Sequence, residues 1–210
     1  MEIDVSRPPK LYRYSEAQWL ERSLRLGEFR LRPAADYKQL EGDHARQGDE
    51  LVRVRSSPGE KVKITLASTG EEIKPIGEVT YRSEVGTNYL TVCFSERWDA
   101  SMFSDFPNTD TCLVIHEVEE FCERFHIAVE AALSGWAGMD AKVTYGGHSP
   151  LGAVFSKPMR FIVQHEWRFA WRPLDALTEI QPLSVRMGSI ERIAEIVRNQ
   201  AHGVRPEQLS

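Results

Sequence analysis

The chain has 210 residues, of which 41% are hydrophobic and 27% charged, and its formal net charge at pH 7 is −5. This composition supplies one sizeable hydrophobic core, so it excludes wholesale disorder and favours a single domain over residues 1–210. No apolar run approaches the roughly 18 residues that a membrane-spanning helix requires, and the acidic balance disfavours a passive nucleic-acid binder.

The cysteines and the two ends of the chain bear on its compartment. Cys93, Cys112 and Cys122 lie among apolar residues and are odd in number, which indicates reduced thiols rather than a disulfide framework. Residues 1–10 lack a basic segment followed by an apolar run, so we expect no secretory signal. These features predict a cytoplasmic protein in which residues 1–10 and 204–210 are loosely ordered.

The first part of the chain has the pattern strand, helix, strand. Residues 11–14 (LYRY) predict a strand, and Ser15 with Gln18 has the spacing of a capping box at the start of a helix. Gly27 stands where a helix-ending glycine is common. Residues 28–32 alternate polar and apolar side chains, which predicts the second strand.

Residues 51–96 alternate with period two, which is typical of strands. The segments 51–57 and 61–68 flank Pro58-Gly59 and predict a hairpin, and Thr69-Gly70 predicts the next turn. Further strands are predicted over residues 78–84 and 89–95.

The C-terminal half mixes helices and strands. Residues 117–133 carry apolar side chains at i, i+3 and i+4, and this spacing predicts the clearest helix of the chain. A loop is predicted over residues 134–140. A last helix is predicted from Ser189, with Gly203 at its end. Strands are predicted over residues 112–116, 142–145, 160–171 and 183–187. About eight strands massed between roughly three helices predict an α+β fold with a mainly antiparallel, possibly split sheet.

Several familiar catalytic motifs do not occur in the sequence. There is no G-x-G-x-x-G, no Gly-Lys-Ser/Thr of a P-loop and no G-x-S-x-G nucleophile elbow. Glu123 and His126 have E-x-x-H spacing, but a di-iron site needs a second copy of that pair. We therefore expect no metal.

The segment FIVQHEWRF carries a glutamate inside an aromatic and apolar strand pattern. In a strand, Gln164 and Glu166 would point to one face. A glutamate is rare in such surroundings unless it is paired or used for chemistry. The pairing interpretation gives Glu166 an ion pair with Arg168, Arg160 or Arg172. The functional interpretation aims an amide and a carboxylate into one cleft, where the carboxylate can stabilise an oxocarbenium-like transition state.

Gln164-His165-Glu166 resembles the Q/E-x-E motif of the arginine–serine–glutamate class of ADP-ribosyltransferases. Enzymes of that class carry an arginine on an early strand, a serine on a middle strand and the catalytic glutamate on a later one. The chain also resembles an uncharacterised bacterial family with LYRY, CFSE and E-x-EWR-type motifs, here at residues 11–14, 93–96 and 164–168. The resemblance implies an ADP-ribosyltransferase-like split-sheet fold.

The resemblance also implies roles for individual residues. Glu166 would be the catalytic carboxylate, Gln164 would orient the nucleophile, and Ser95 would steady the glutamate. Arg13 would contact the phosphates or ribose of NAD, with Tyr14 as an alternative early-strand residue. An aromatic ring would stack on nicotinamide, from Trp98, Phe103 or Phe106.

The function that the resemblance implies is cleavage of NAD, bound as a substrate without a metal, and transfer of ADP-ribose. The acceptor would be a macromolecule, either protein or nucleic acid, or water in an NAD glycohydrolase. A bacterial protein of this type would serve as a toxin, a delivered effector or an anti-phage factor. We expect this chain to act in the cytoplasm without membrane contact, and an inhibitor or immunity protein is a further expected partner.

Two other interpretations remain open from the sequence. The chain could be a non-catalytic protein-binding module that senses or neutralises a partner, with Glu166 in a buried salt bridge. Its interface would then be an exposed patch of Trp98, Met102, Phe103 and Phe106. A nucleotide hydrolase would instead pair Glu166 with Asp99 or Asp105.

Overall fold

A computed structural model describes most of the chain, and there the chain forms an α+β fold built on a mainly antiparallel sheet. The described ranges are 6–39, 52–84, 88–106, 108–147, 149–175 and 179–199. None of the helices in these ranges is both long and apolar enough to cross a membrane.

The strands and helices follow one another in an irregular order. The strands are β1 (Leu11–Ser15), β2 (Glu28–Pro33), β3 (Val52–Pro58), β4 (Ile64–Thr65), β5 (Glu72–Ile73), β6 (Glu78–Glu84), β7 (Leu90–Ser95), β8 (Thr111–Ile115), β9 (Trp136–Lys142), β10 (Thr144–Tyr145), β11 (Ser156–Lys157), β12 (Glu166–Pro173), β13 (Leu183–Arg186) and β14 (Ala194–Arg198). The α-helices are α1 (Ala17–Leu26), α2 (Met102–Asp105) and α3 (Val118–Ala132). Short 3₁₀ helices cover Ala34–Gln39, Gly59–Lys61, Ala153–Phe155 and Met159–Gln164.

The main sheet forks at β7. On one edge, β12 pairs with β7 from Leu90 to Ser95, and β9 follows beyond β12. The opposite edge of β7 is shared, because β2 pairs with Leu90 and Thr91 while β1 pairs with Ser95. From this fork one branch continues from β2 to β13, and the other from β1 through β8 to β14. The sheet is therefore split.

One face of the sheet forms the principal core with α3. The core takes alternate residues of neighbouring strands, so β7 contributes Phe94 and β12 contributes Phe169. Phe121 and Phe125 of α3 pack on these rings, with centroid separations of 5.3 Å for Phe94–Phe121 and Phe125–Phe169. Burying each such ring contributes about 1.5–3 kcal/mol. The predicted helix over residues 117–133 is confirmed by α3.

The predicted strand, helix and strand at the start of the chain are confirmed, but the capping box is wrong. The first turn of α1 has no side-chain cap from Ser15; instead the Ala17 N–H donates to Asp110 Oδ1 at 2.8 Å. Gln18 bonds to Glu16. Gly27 ends the helix with a φ of 59°, as predicted, and a Cβ there would lie 2.2 Å from the Gly188 carbonyl oxygen.

The predicted hairpin of residues 51–57 with 61–68 is wrong in its pairing. β3 pairs with β6, from Val52 opposite Glu84 to Pro58 opposite Glu78. β4 and β5 form a small hairpin around the predicted turn at Thr69-Gly70. Alternation of side chains predicts that a segment is a strand, but it does not select its partner.

The predicted C-terminal helix is also wrong, because Ala194–Arg198 is strand β14, paired with β8. Ile193, Ile196 and Val197 have helical spacing, yet they are β-branched and lie beside the edge of β8, so strand pairing is favoured. The predicted loop over residues 134–140 falls largely in β9, which pairs with β12. Gly203 and residues 204–210 lie outside the described residues.

Candidate functional site

A cleft of about 590 Å³ opens where the sheet forks. Residues of β1, β2, β7 and α1 line it, and Lys157, Gln164 and Glu166 line the end nearest β12. The cleft exists because β1 and β2 diverge from the same edge of β7, which leaves the middle of that edge without a neighbouring strand. Arg13, Ser95 and Glu166, predicted from three separate strands, all line it.

Arg13 occupies the gap between β1 and β7. Its Nη1 donates to the Cys93 carbonyl oxygen at 2.8 Å, and its guanidinium carbon lies 5.5 Å from the centre of the Phe94 ring. A guanidinium satisfies an exposed strand edge well, because it donates several hydrogen bonds from one plane. Contact with an aromatic face adds a cation–π interaction.

The side chains of Arg13 and Glu166 come from opposite faces of the sheet. Tyr12 pairs with Ser95, and Ser95 pairs with Glu166, so these three residues share a face. Arg13 alternates with Tyr12 along β1 and so shares the face of Leu11, and its guanidinium lies over the ring of Phe94, so it is on the principal-core face. Arg13 and Glu166 therefore reach the cleft from opposite faces of the sheet, at the point where the sheet forks.

Glu166 is buried, with only 4% of its side chain exposed, and each carboxylate oxygen is bound by a cation. Lys157 Nζ lies 2.8 Å from Oε2, and Arg168 Nε lies 2.6 Å from Oε1. The predicted ion pair with Arg168 is confirmed. Burial alone would raise the pKa of Glu166, but the charges of Arg168 and Lys157 outweigh it and hold that pKa well below its usual range.

Gln164 reaches the site by a different route from the one predicted. The strand predicted over residues 160–171 begins only at Glu166, because Met159–Gln164 is a 3₁₀ helix and His165 has a φ of 40°. The Gln164 side chain is buried, and its Oε1 accepts a hydrogen bond from Lys157 Nζ at 2.8 Å. The amide and the carboxylate thus converge on one lysine.

The Ser95 hydroxyl is engaged with a backbone segment rather than with the glutamate. It donates to the Arg97 carbonyl oxygen at 2.8 Å and accepts from the Arg97 N–H at 3.2 Å. Asp99, a predicted alternative partner of Glu166, accepts hydrogen bonds from Ser101 instead.

Of the three predicted stacking residues, which are Trp98, Phe103 and Phe106, Phe106 lines the cleft. Tyr14 lines it and accepts a hydrogen bond from the Asp99 N–H at 2.8 Å, and burial raises its pKa. Phe103 is buried against Tyr14, with ring centres 5.2 Å apart, and Trp98 packs on the same ring. Neither Trp98 nor Phe103 is among the described residues that line the cleft. Trp19 of α1 lines it with 53% of its surface exposed.

Lys157 and Trp19 were not predicted from the sequence. Lys157 stands in the stretch VFSKPM, which has no motif, and Trp19 lies within the first predicted helix, where its position indicates no role. Their roles depend on where the chain returns in space, which no local pattern encodes.

No metal site is found among the described residues, where no cluster of three His, Cys, Asp or Glu side chains could hold an ion. His126, considered above for its spacing from Glu123, bonds through Nε2 to Asp140 Oδ1 at 2.8 Å.

The chain matches no protein-family model, no curated protein and no solved structure. Any assignment of function therefore depends on the residues and geometry of the cleft.

Proposed function

We propose that this protein is an NAD-cleaving enzyme of the ADP-ribosyltransferase type, with an ADP-ribosyltransferase-like fold. It binds NAD in the cleft that opens where the sheet forks, called the fork cleft below, and transfers ADP-ribose to a macromolecular acceptor. The observation that carries the proposal is that Arg13, Ser95 and Glu166 line one cleft from β1, β7 and β12. Their order along the chain is that of the class whose motifs the sequence resembles.

The cleft has the size and lining that a dinucleotide needs. Small-molecule sites occupy about 300–1,000 Å³, a range that includes this cleft. Arg13, Arg30 and Arg32 line it beside Glu16 and Glu28, and the three guanidinium groups supply positive charge for a pyrophosphate. Trp19 supplies an exposed aromatic surface on which a base can stack.

Glu166 supplies the charge that the reaction requires. When the bond between ribose C1′ and the nicotinamide nitrogen breaks, both bonding electrons leave with nicotinamide and positive charge develops on the ribose. A nearby ionised carboxylate stabilises that charge. The acceptor nucleophile then bonds to C1′ and passes its proton to solvent, and the Gln164 side chain beside Glu166 would orient that nucleophile. The leaving nicotinamide is neutral, so no strong general acid is needed.

A second candidate is a non-catalytic partner-binding module on the same fold. The observation that favours it is the occupation of both Glu166 oxygens by Lys157 and Arg168, because two cations weaken the field that the carboxylate exerts. The interface predicted from the sequence does not form as an exposed patch, since Met102 and Phe103 are buried.

The proposal is tested by incubating purified protein with NAD and measuring nicotinamide by mass spectrometry. Glu166→Asp keeps the charge beside Lys157 and Arg168 but withdraws it by one methylene, so release should fall about 100-fold or more. Asp140→Asn is the matched control, because it disturbs a buried carboxylate away from the cleft and should retain turnover while folded. Turnover that is unchanged in Glu166→Asp would exclude this mechanism. If the wild-type protein neither turns over NAD nor shows a thermal shift with it, the binding module is favoured.

A further inference from the structure

The buried ammonium group of Lys157 contacts both Gln164 and Glu166. Lys157 Nζ lies 2.8 Å from Gln164 Oε1 and 2.8 Å from Glu166 Oε2, and only 6% of the Lys157 side chain is exposed. Nζ also lies 5.0 Å from the centre of the Phe161 ring. Ordering a lysine side chain in this way costs considerable rotamer entropy, so the contacts must compensate for it.

The segment from β10 to β11 fixes where that ammonium lies. β10 and β11 are a parallel pair in which Tyr145 stands opposite Lys157. The Tyr145 hydroxyl accepts the Glu166 N–H at 2.8 Å, so the same segment binds both the backbone and the side chain of Glu166. The carbonyl of Val154 accepts from Arg168 Nη1 at 2.6 Å, which ties the second cation to the segment as well.

We propose that Lys157 is a positioning residue of the site, which orients the Gln164 amide against the Glu166 carboxylate and keeps that carboxylate ionised. The inference rests on the proposed function and extends it, because the sequence resemblance assigns no role to a lysine. It makes residues 144–147 and 149–157 a working part of the site rather than a connecting loop.

The charge of Lys157 affects the pKa of Glu166 in a definite direction. Glu166 is faced by Lys157 from β11, Arg168 from its own strand, Cys93 from β7 and Tyr145 from β10. Burial raises the pKa of Glu166, and the two cations lower it. Replacing Lys157 with an uncharged residue leaves only Arg168 and a hydrogen bond from Cys93 to oppose burial, so the pKa of Glu166 should rise. The acid limb of the pH–rate profile should move to higher pH with it.

The test compares Lys157→Met, which keeps the length of the side chain and removes its charge, with Lys157→Arg. Lys142→Met is the matched control, since Lys142 is an exposed lysine paired with Glu96. We expect Lys157→Met to lower kcat for nicotinamide release about 100-fold with little change in KM, and to move the acid limb upward by about 1–3 pH units. Lys157→Arg should restore the acid limb and recover part of kcat, and Lys142→Met should leave both unchanged.

A second readout separates this inference from the proposed function. The carboxyl carbon of Glu166, observed by NMR in glutamate-labelled protein and assigned by its absence in Glu166→Asp, should titrate at higher pH in Lys157→Met than in the wild type. That result stands even if the protein cleaves no NAD, in which case only the proposed function fails. An unchanged titration of Glu166, or an unchanged kcat and pH profile in Lys157→Met, would overturn the inference. If Lys157→Met does not fold, Lys157→Arg decides: a reduced kcat at constant KM supports positioning, and wild-type values of both refute it.

Discussion

Replacing Asp140 with asparagine is expected to lower the free energy of unfolding by about 3–6 kcal/mol. The Asp140 side chain is 4% exposed, and each carboxylate oxygen accepts two hydrogen bonds. Oδ1 accepts from Arg7 Nη2 at 2.9 Å and His126 Nε2 at 2.8 Å, while Oδ2 accepts from Arg7 Nε and Trp167 Nε1, both at 3.0 Å. An amide nitrogen at either position faces two donors, so two bonds to a charged group are lost, each worth about 1.5–3 kcal/mol.

The same substitution should change how stability depends on pH. Burial raises the pKa of Asp140, but hydrogen bonds from His126 and Arg7 outweigh burial and hold it well below its usual range. A carboxylate with a lowered pKa stabilises the folded state above its unfolded pKa of about 3.9 and loses that contribution as the pH falls toward the folded pKa. Wild-type stability should therefore fall below about pH 4, and Asp140→Asn should remove part of that slope. Glu166, Glu28 and Asp99 also have lowered pKa values and contribute to the slope that remains.

Urea unfolding at pH 7 and pH 3 measures both effects. Glu119→Gln is a suitable control, because Glu119 also pairs with Arg7 but is 76% exposed, and an exposed pair contributes about 0–1 kcal/mol. A loss below about 1 kcal/mol in Asp140→Asn at pH 7, or the same acid slope as the wild type, would refute the assigned role of Asp140.

Three further changes test other parts of the structure. Arg168→Met leaves buried Glu166 with Lys157 alone and should cost about 3–5 kcal/mol in urea unfolding; a loss under about 1 kcal/mol would argue against a buried ion pair. Gly27→Ala should cost at least about 1 kcal/mol, since its φ is positive and a Cβ meets the Gly188 carbonyl, and unchanged stability would contradict that packing. Trp19→Ala should weaken NAD binding about 2–10-fold by calorimetry while leaving the fold intact, and an unchanged Kd would remove Trp19 from the site.

The parts of the fold that sequence patterns predicted are those whose shape is decided locally. α3 buries Phe121, Phe125 and Val129 at helical spacing, and β6 coincides with the predicted strand over residues 78–84. β14 was predicted as a helix because its apolar spacing fits both structures. Only the edge of β8 distinguishes them, and that edge is supplied by a distant part of the chain.

Only the part of the candidate site that is decided locally could be predicted from the sequence. The ion pair of Glu166 with Arg168 follows from strand alternation two residues apart, and it was predicted. The contact with Lys157 depends on the pairing of β10 with β11 beside Glu166, which has no local signature. The placement of Arg13 within the fork depends on how β1 diverges from β7, and alternation along one strand cannot show that divergence.

The central claim is that the fork cleft binds NAD and that Glu166 assists cleavage of its nicotinamide bond. Nicotinamide release by the wild-type protein, measured beside Glu166→Asp and the folded Asp140→Asn control, tests it most directly. The account predicts release by the wild type and the control, and a loss of about 100-fold or more in Glu166→Asp. Equal release by all three proteins, or no release and no NAD binding by the wild type, would contradict it.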